Sequence, residues 1–69
     1  MEFIQCTLNY NHKFHDINEL DAAIGFVDKI NNLNETNSFS ISILANKQGR
    51  AYNYIFKDEE TALEALMNL

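Results

Sequence analysis

The chain has no proline, no tryptophan, a single cysteine and two glycines among its 69 residues. One cysteine excludes an internal disulfide framework, so the fold rests on its core, or on a core and a partner. The glycines, Gly25 and Gly49, stand far apart, which excludes a glycine-rich phosphate loop. No apolar run approaches the ~18 residues that cross a bilayer. The N-terminus opens Met1-Glu2 with neither a basic region nor an apolar stretch, so no secretory signal is read there and a cytoplasmic setting is expected. Bases are scarce: 5 against 10 acids, a net charge of -5, a balance that repels phosphate backbones. One domain spanning 1–69 fits this length.

What is present points to a packed protein. Hydrophobic residues make up 46%, well above what a disordered acidic chain carries. Asn is abundant beside Ile, Lys, Phe and Tyr, a set with AT-rich codons, which suits an AT-rich microbe or virus. No internal repeat or low-complexity stretch stands out beyond the Asn enrichment.

Residues Glu2 to Tyr10 alternate, with Ile4, Cys6, Leu8 and Tyr10 on one side and Phe3, Gln5, Thr7 and Asn9 on the other, which predicts a half-buried strand. Asn11 to His15 reads as a loop. Asp16 with Glu19 has capping-box spacing, and Ile17, Leu20, Ile24, Val27 and Ile30 recur at helical steps with Ala23 inside the stripe. A helix is expected from about 17 to about 33, ended by Asn31-Asn32-Leu33-Asn34. Phe26 and Leu33 sit at the edge of its stripe and are read as widening the core. Phe39, Ile41, Ile43 and Ala45 alternate with Ser40, Ser42 and Leu44 in a second strand. A turn over Asn46 to Gly49 leads to a third strand, Arg50 to Lys57. The expected register sets Ala45 opposite Arg50, Ile43 opposite Tyr52, Ile41 opposite Tyr54 and Phe39 opposite Phe56. Asp58 caps a last helix whose first turns hold Glu59, Glu60 and Glu64.

The order β-α-β-β-α resembles a ferredoxin-like plan without its final strand: α+β, a three-stranded sheet, both helices on one face. That plan leaves the first strand as an open edge and exposes Phe3, Thr7, Ser40, Ser42, Leu44, Asn53 and Ile55 on the bare face. A core this small favours association with a partner, a larger protein or a second copy.

Charge is uneven. Residues 16–35 hold five acids and one Lys; residues 58–69 hold four acids and no base; Lys47, Arg50 and Lys57 lie between with no acid. The helical layer is therefore expected to be negative and the hairpin positive.

Chemistry has few candidates. Cys6 falls on the core side of its strand, away from His12 and His15 in the loop, and a buried thiol makes no nucleophile. His12, His15 and Asp16 offer too few ligands for a typical zinc site. Arg50-Ala51-Tyr52-Asn53-Tyr54-Ile55-Phe56 is similar to the third-strand signature of RNA-recognition domains, which requires Tyr52 and Tyr54 on the open sheet face. That orientation would leave Ala51, Asn53 and Ile55 to fill the core, a poor interior. Neither catalysis nor a cofactor or metal is expected. The sequence reads as a small acidic protein-binding module. Its expected class is a phage or mobile-element inhibitor, of the kind anti-CRISPR proteins exemplify, acting in the host cytoplasm by blocking a nucleic-acid-handling protein. Asp21, Asp28, Glu59, Glu60 and Glu64 are its expected contacts. The alternatives are a homo-oligomeric regulatory or accessory domain joined through its open sheet edge, the first strand, or its open sheet face, and a single-stranded RNA binder.

Overall fold

The computed structural model describes residues 1–33 and 38–69. Within them lie β1 (Glu2–Tyr10), β2 (Lys13–Ile17), α1 (Leu20–Leu33), β3 (Phe39–Lys47), β4 (Arg50–Phe56) and α2 (Glu59–Met67). The class is α+β, as the sequence indicates, but the sheet has four strands in the order β2-β1-β3-β4, every neighbour antiparallel. The ferredoxin-like plan is thus replaced by two ββα units in succession.

The extra strand is β2. Asn11 and His12 both take positive φ, 54° and 64°, and close a two-residue hairpin with Tyr10 opposite Lys13. Positive φ at both central positions is what a right-twisted hairpin demands of so short a turn. The chain therefore returns along β1 at once. Ile17 pairs with Cys6 inside the sheet, so α1 begins at Leu20 and not at 17. Asp16 caps nothing: it lies opposite Thr7, whose hydroxyl donates to its Oδ1 at 3.0 Å. The first turn of α1 instead closes on the Glu19 carbonyl, which accepts from the Ala23 N–H at 3.0 Å. The expected end of this helix at Asn34 lies outside the described residues.

With β2 on its flank, β1 is a central strand and not an open edge. It pairs with β3 from Glu2↔Asn46 to Tyr10↔Phe39, with one irregularity between Phe3 and Gln5. There Ile4 is an extra residue, a β-bulge, and the pleat changes phase. Phe3 consequently packs against the core and Ile4 is exposed, the reverse of the simple alternation.

The second hairpin is also tighter than expected. Gln48 (φ 54°) and Gly49 (φ 81°) form a two-residue turn closed by Lys47↔Arg50, and the Gly49 N–H donates to Asn46 Oδ1 at 3.1 Å. The β3–β4 register moves by two positions, giving Ala45↔Tyr52, Ile43↔Tyr54 and Ile41↔Phe56. A shift of two preserves the faces, so the aromatic side of β4 still points toward the helices.

The two units are related by a pseudo-two-fold axis. The shift that carries Asn11-His12 onto Gln48-Gly49 also carries Cys6 onto Ile43. That pair faces itself at the sheet centre, and Thr7↔Ser42 exchanges with Gln5↔Leu44. The bulge at Ile4 ends the match. Helices α1 and α2 pack on each other over one side of the sheet. The core is Cys6, Leu8, Phe39, Ile41, Ile43 and Ala45 from the sheet, with Ala23, Val27, Ile30, Ala62 and Leu66 from the helices, and among the described residues no polar side chain is buried with them. Phe26 is half-buried against His15, whereas Leu33, expected in the core, is 49% exposed.

Two backbone positions can be improved. Gly25 is exposed within α1, and a Cβ there would meet nothing within 4 Å. Gly25→Ala should raise stability by about 0.5–1 kcal/mol in urea titration, through helix propensity alone. His12→Gly should stabilise by a similar amount, since glycine adopts positive φ without the Cβ clash. The opposite change, Gly49→Ala, should destabilise.

Candidate interaction surface

The fold divides the acids differently from the sequence blocks. Of the five in residues 16–35, Asp16 faces Thr7 across the sheet, Glu19 precedes α1, and Glu35 lies outside the described residues. Helix α1 itself keeps only Asp21 and Asp28, beside Lys29. The negative field therefore belongs chiefly to α2 and its cap, where Asp58, Glu59, Glu60 and Glu64 lie with no base.

Asp58 starts that helix as expected. Its Oδ2 accepts the Thr61 N–H at 3.0 Å, and its carbonyl accepts the Thr61 hydroxyl at 3.1 Å. The cap fixes the helix phase: Ala62 and Leu66 turn inward while Glu60, Glu64 and Met67 turn out. On the outer surface Glu60, Leu63, Glu64, Met67 and Asn68 line a shallow hollow of about 370 Å³. Met67 is 66% exposed at its rim. Two carboxylates one turn apart thus flank an apolar floor. Glu59 lies beside this hollow in the first turn, half-buried, and Asp21 and Asp28 line neither it nor the groove described next. The five expected contacts are thus not one cluster, and the structure brings together Glu60 and Glu64. Leu63, half-buried and packed against the core, and exposed Met67 form the apolar half of the hollow; both follow the acids at helical spacing, the signal that could have joined them.

The inner side of α2 is incomplete. Nine residues make a helix of about 13 Å, while seven strand residues extend about 23 Å. The shortfall leaves Tyr52 41% exposed on the helix side of β4. It also opens an apolar groove of about 270 Å³ lined by Met1, Ile43, Tyr54, Phe56, Ala65, Asn68 and Leu69. Tyr52 and Tyr54 lie 6.4 Å apart between ring centres on this side. Stacking of bases on the bare sheet face, which the RNA reading requires, has no ring from β4 to use.

That bare face carries Thr7, Ser40, Ser42, Leu44, Asn53 and Ile55, as expected, with Phe14 and Asp16 added by β2 and Phe3 removed by the bulge. Phe14 and Ile55 stand out at 73% and 67% exposure at its two flanks.

The other titratable candidates are dispersed. His12 is in the first turn, exposed, while His15 turns toward the helices and packs on Phe26 with ring centres 4.9 Å apart. Asp16 points to the opposite side of β2. Cys6 is buried at the sheet centre, where loss of solvent, with a smaller push from the Asp16 carboxylate, raises its thiol to about 11.

The thiol of Cys6 should resist a disulfide reagent at neutral pH in the native state and react freely in urea. The raised value also has a sign. The folded state holds the proton, so this contribution is complete below the ordinary value of 9.0 and fades as pH climbs through about 11. Between neutral and alkaline pH, the unfolding free energy from urea titration should fall further for wild type than for Cys6→Ala, by up to about 2–3 kcal/mol. No family model, curated protein or solved structure matches the chain, so a functional reading rests on its own surfaces.

Proposed function

We propose that the chain is a small acidic protein-binding module whose outer α2 face docks on a basic surface of a larger protein. One observation carries this reading: Glu60 and Glu64 border a hollow floored by Leu63 and edged by exposed Met67. Carboxylates steer and orient a basic partner, and the apolar floor supplies the area that water leaves. Net charge of -5 extends the attraction beyond the contact itself.

Charges one helical turn apart offer a groove built for phosphates an alternative occupant. The partner we propose is accordingly a nucleic-acid-handling protein, and the mode of action is steric occlusion, as for a phage- or mobile-element-encoded inhibitor. The reaction chemistry would then be the partner's.

Capture from a lysate of the source cell, followed by competition, tests this. Duplex DNA or RNA should displace the chain from the captured protein, and affinity should fall steeply with added salt. Glu60→Lys with Glu64→Lys should weaken binding at least ~10-fold, while Asp21→Lys with Asp28→Lys should change it less. Binding that ignores salt, nucleic acid and the α2 reversal would refute the reading.

A further inference from the structure

Strand β4 is a free edge of a kind that small proteins rarely leave open. It runs seven residues, Arg50–Phe56, with no proline and no charge from Ala51 to Phe56. The other edge, β2, is five residues long and carries Lys13 and Asp16, features that blunt an edge.

The register says which backbone groups of β4 are unpaired. A two-residue turn is closed by a hydrogen-bonded pair, here Lys47↔Arg50, and such pairs alternate along an antiparallel ladder. Arg50, Tyr52, Tyr54 and Phe56 therefore bond inward to β3. Ala51, Asn53 and Ile55 aim N–H and C=O at the free edge.

We propose that this edge pairs with the same edge of a second copy, antiparallel about Asn53, joining two four-stranded sheets into one. Three independent features agree on that register. Asn53 opposite its own image, with Ala51 opposite Ile55 on either side, satisfies every outward group through about six hydrogen bonds. Tyr52 then falls opposite Tyr54 twice, as non-hydrogen-bonded pairs with Cα atoms only ~4.5 Å apart, the closest side-chain approach in a ladder. These are the rings that α2 is too short to cover. Finally, Arg50 opens the strand, with Lys47 opposite it at the end of β3, and Asp58, Glu59 and Glu60 lie just past the strand's end. Antiparallel pairing brings each basic start toward an acidic end. Lys57 comes level with Gly49, so it meets no like charge directly. The same construction on β2, centred on His15, sets Lys13 against Ile17 and Phe14 against Asp16, and gains neither rings nor charge.

Sedimentation equilibrium at rising concentration, with amide exchange on the same samples, tests the proposal. A dimer is expected to form, and the amides of Ala51, Asn53 and Ile55 to slow at least ~10-fold as it does, while those of Phe14 and Asp16 keep their rates. Asn53→Pro removes an N–H that β3 does not use, so circular dichroism should stay native while dimerisation weakens at least ~10-fold. Arg50→Glu should weaken it several-fold, and adding Glu59→Lys should restore it. A chain that stays monomeric at every concentration overturns the proposal. So does a dimer that ignores Asn53→Pro, or one that protects Phe14 and Asp16 instead.

Discussion

The pairing of β1 with β3 holds the molecule together. Each hairpin is local and closes through a two-residue turn, and each helix lies over its own pair of strands. Among the described residues, the halves are joined by the central ladder, by the Asn11 N–H donating to the Ser38 carbonyl at its end, and by the contact between the helices. At its middle Cys6 faces Ile43, both almost fully buried, with Leu8 and Ile41 beside them. Water is excluded there by Val27, Ala23, Ala62 and Leu66 from above. A polar group at this crossing would lose its solvent without a partner to replace it, which agrees with the absence of fully buried polar residues among those described; Asn9 Oδ1 on β1 is the exception at the level of single atoms, buried with no hydrogen-bond partner.

From that constraint the functional surfaces follow. Because the core takes one face of the sheet and the inner stripes of both helices, charge is confined to the outer helix surfaces, the turns and the edges. The cap at Asp58 then sets the phase of α2 so that Glu60 and Glu64 share an outward stripe with Met67. The short span of α2 has the complementary effect on its inner side, where the rings of β4 are left half-covered. One helix thus shapes both the acidic hollow and the bare edge.

Most of the elements are legible in the sequence, and the failures share a cause. Strand β1, β3, β4 and the capped α2 announce themselves through long alternation or an unambiguous Asp58 start. Strand β2 does not: five residues give too few alternations, and Asp16 with Glu19 imitates a capping box that cross-strand pairing overrides. His12 hides the turn, since a positive φ is expected of glycine or asparagine. That short strand decides the topology, because β2 returns the chain before α1 and so makes β1 a central strand, antiparallel to β3. The bulge at Ile4 is invisible to a period-two pattern by its nature. For the surface, Glu60 and Glu64 were readable as a pair on one helix, but a block count of acids could not know that Asp16 would face Thr7 across the sheet. No sequence similarity betrays the pseudo-two-fold axis, because what repeats is the backbone path and not the side chains.

That repeated path bears on how the molecule reaches its fold. Each hairpin brings together neighbours in the chain, so its loop-closure entropy is small, whereas Cys6 and Ile43 are separated by more than half the polypeptide. The contacts within each half are thus short-range, while those that unite the halves are long-range and carry the larger closure cost. Until those form, each half exposes the flank that will become the centre of the sheet, and a half that meets its counterpart on another chain finds nearly the same geometry there. The symmetry that makes the fold economical also makes exchange between molecules its natural error.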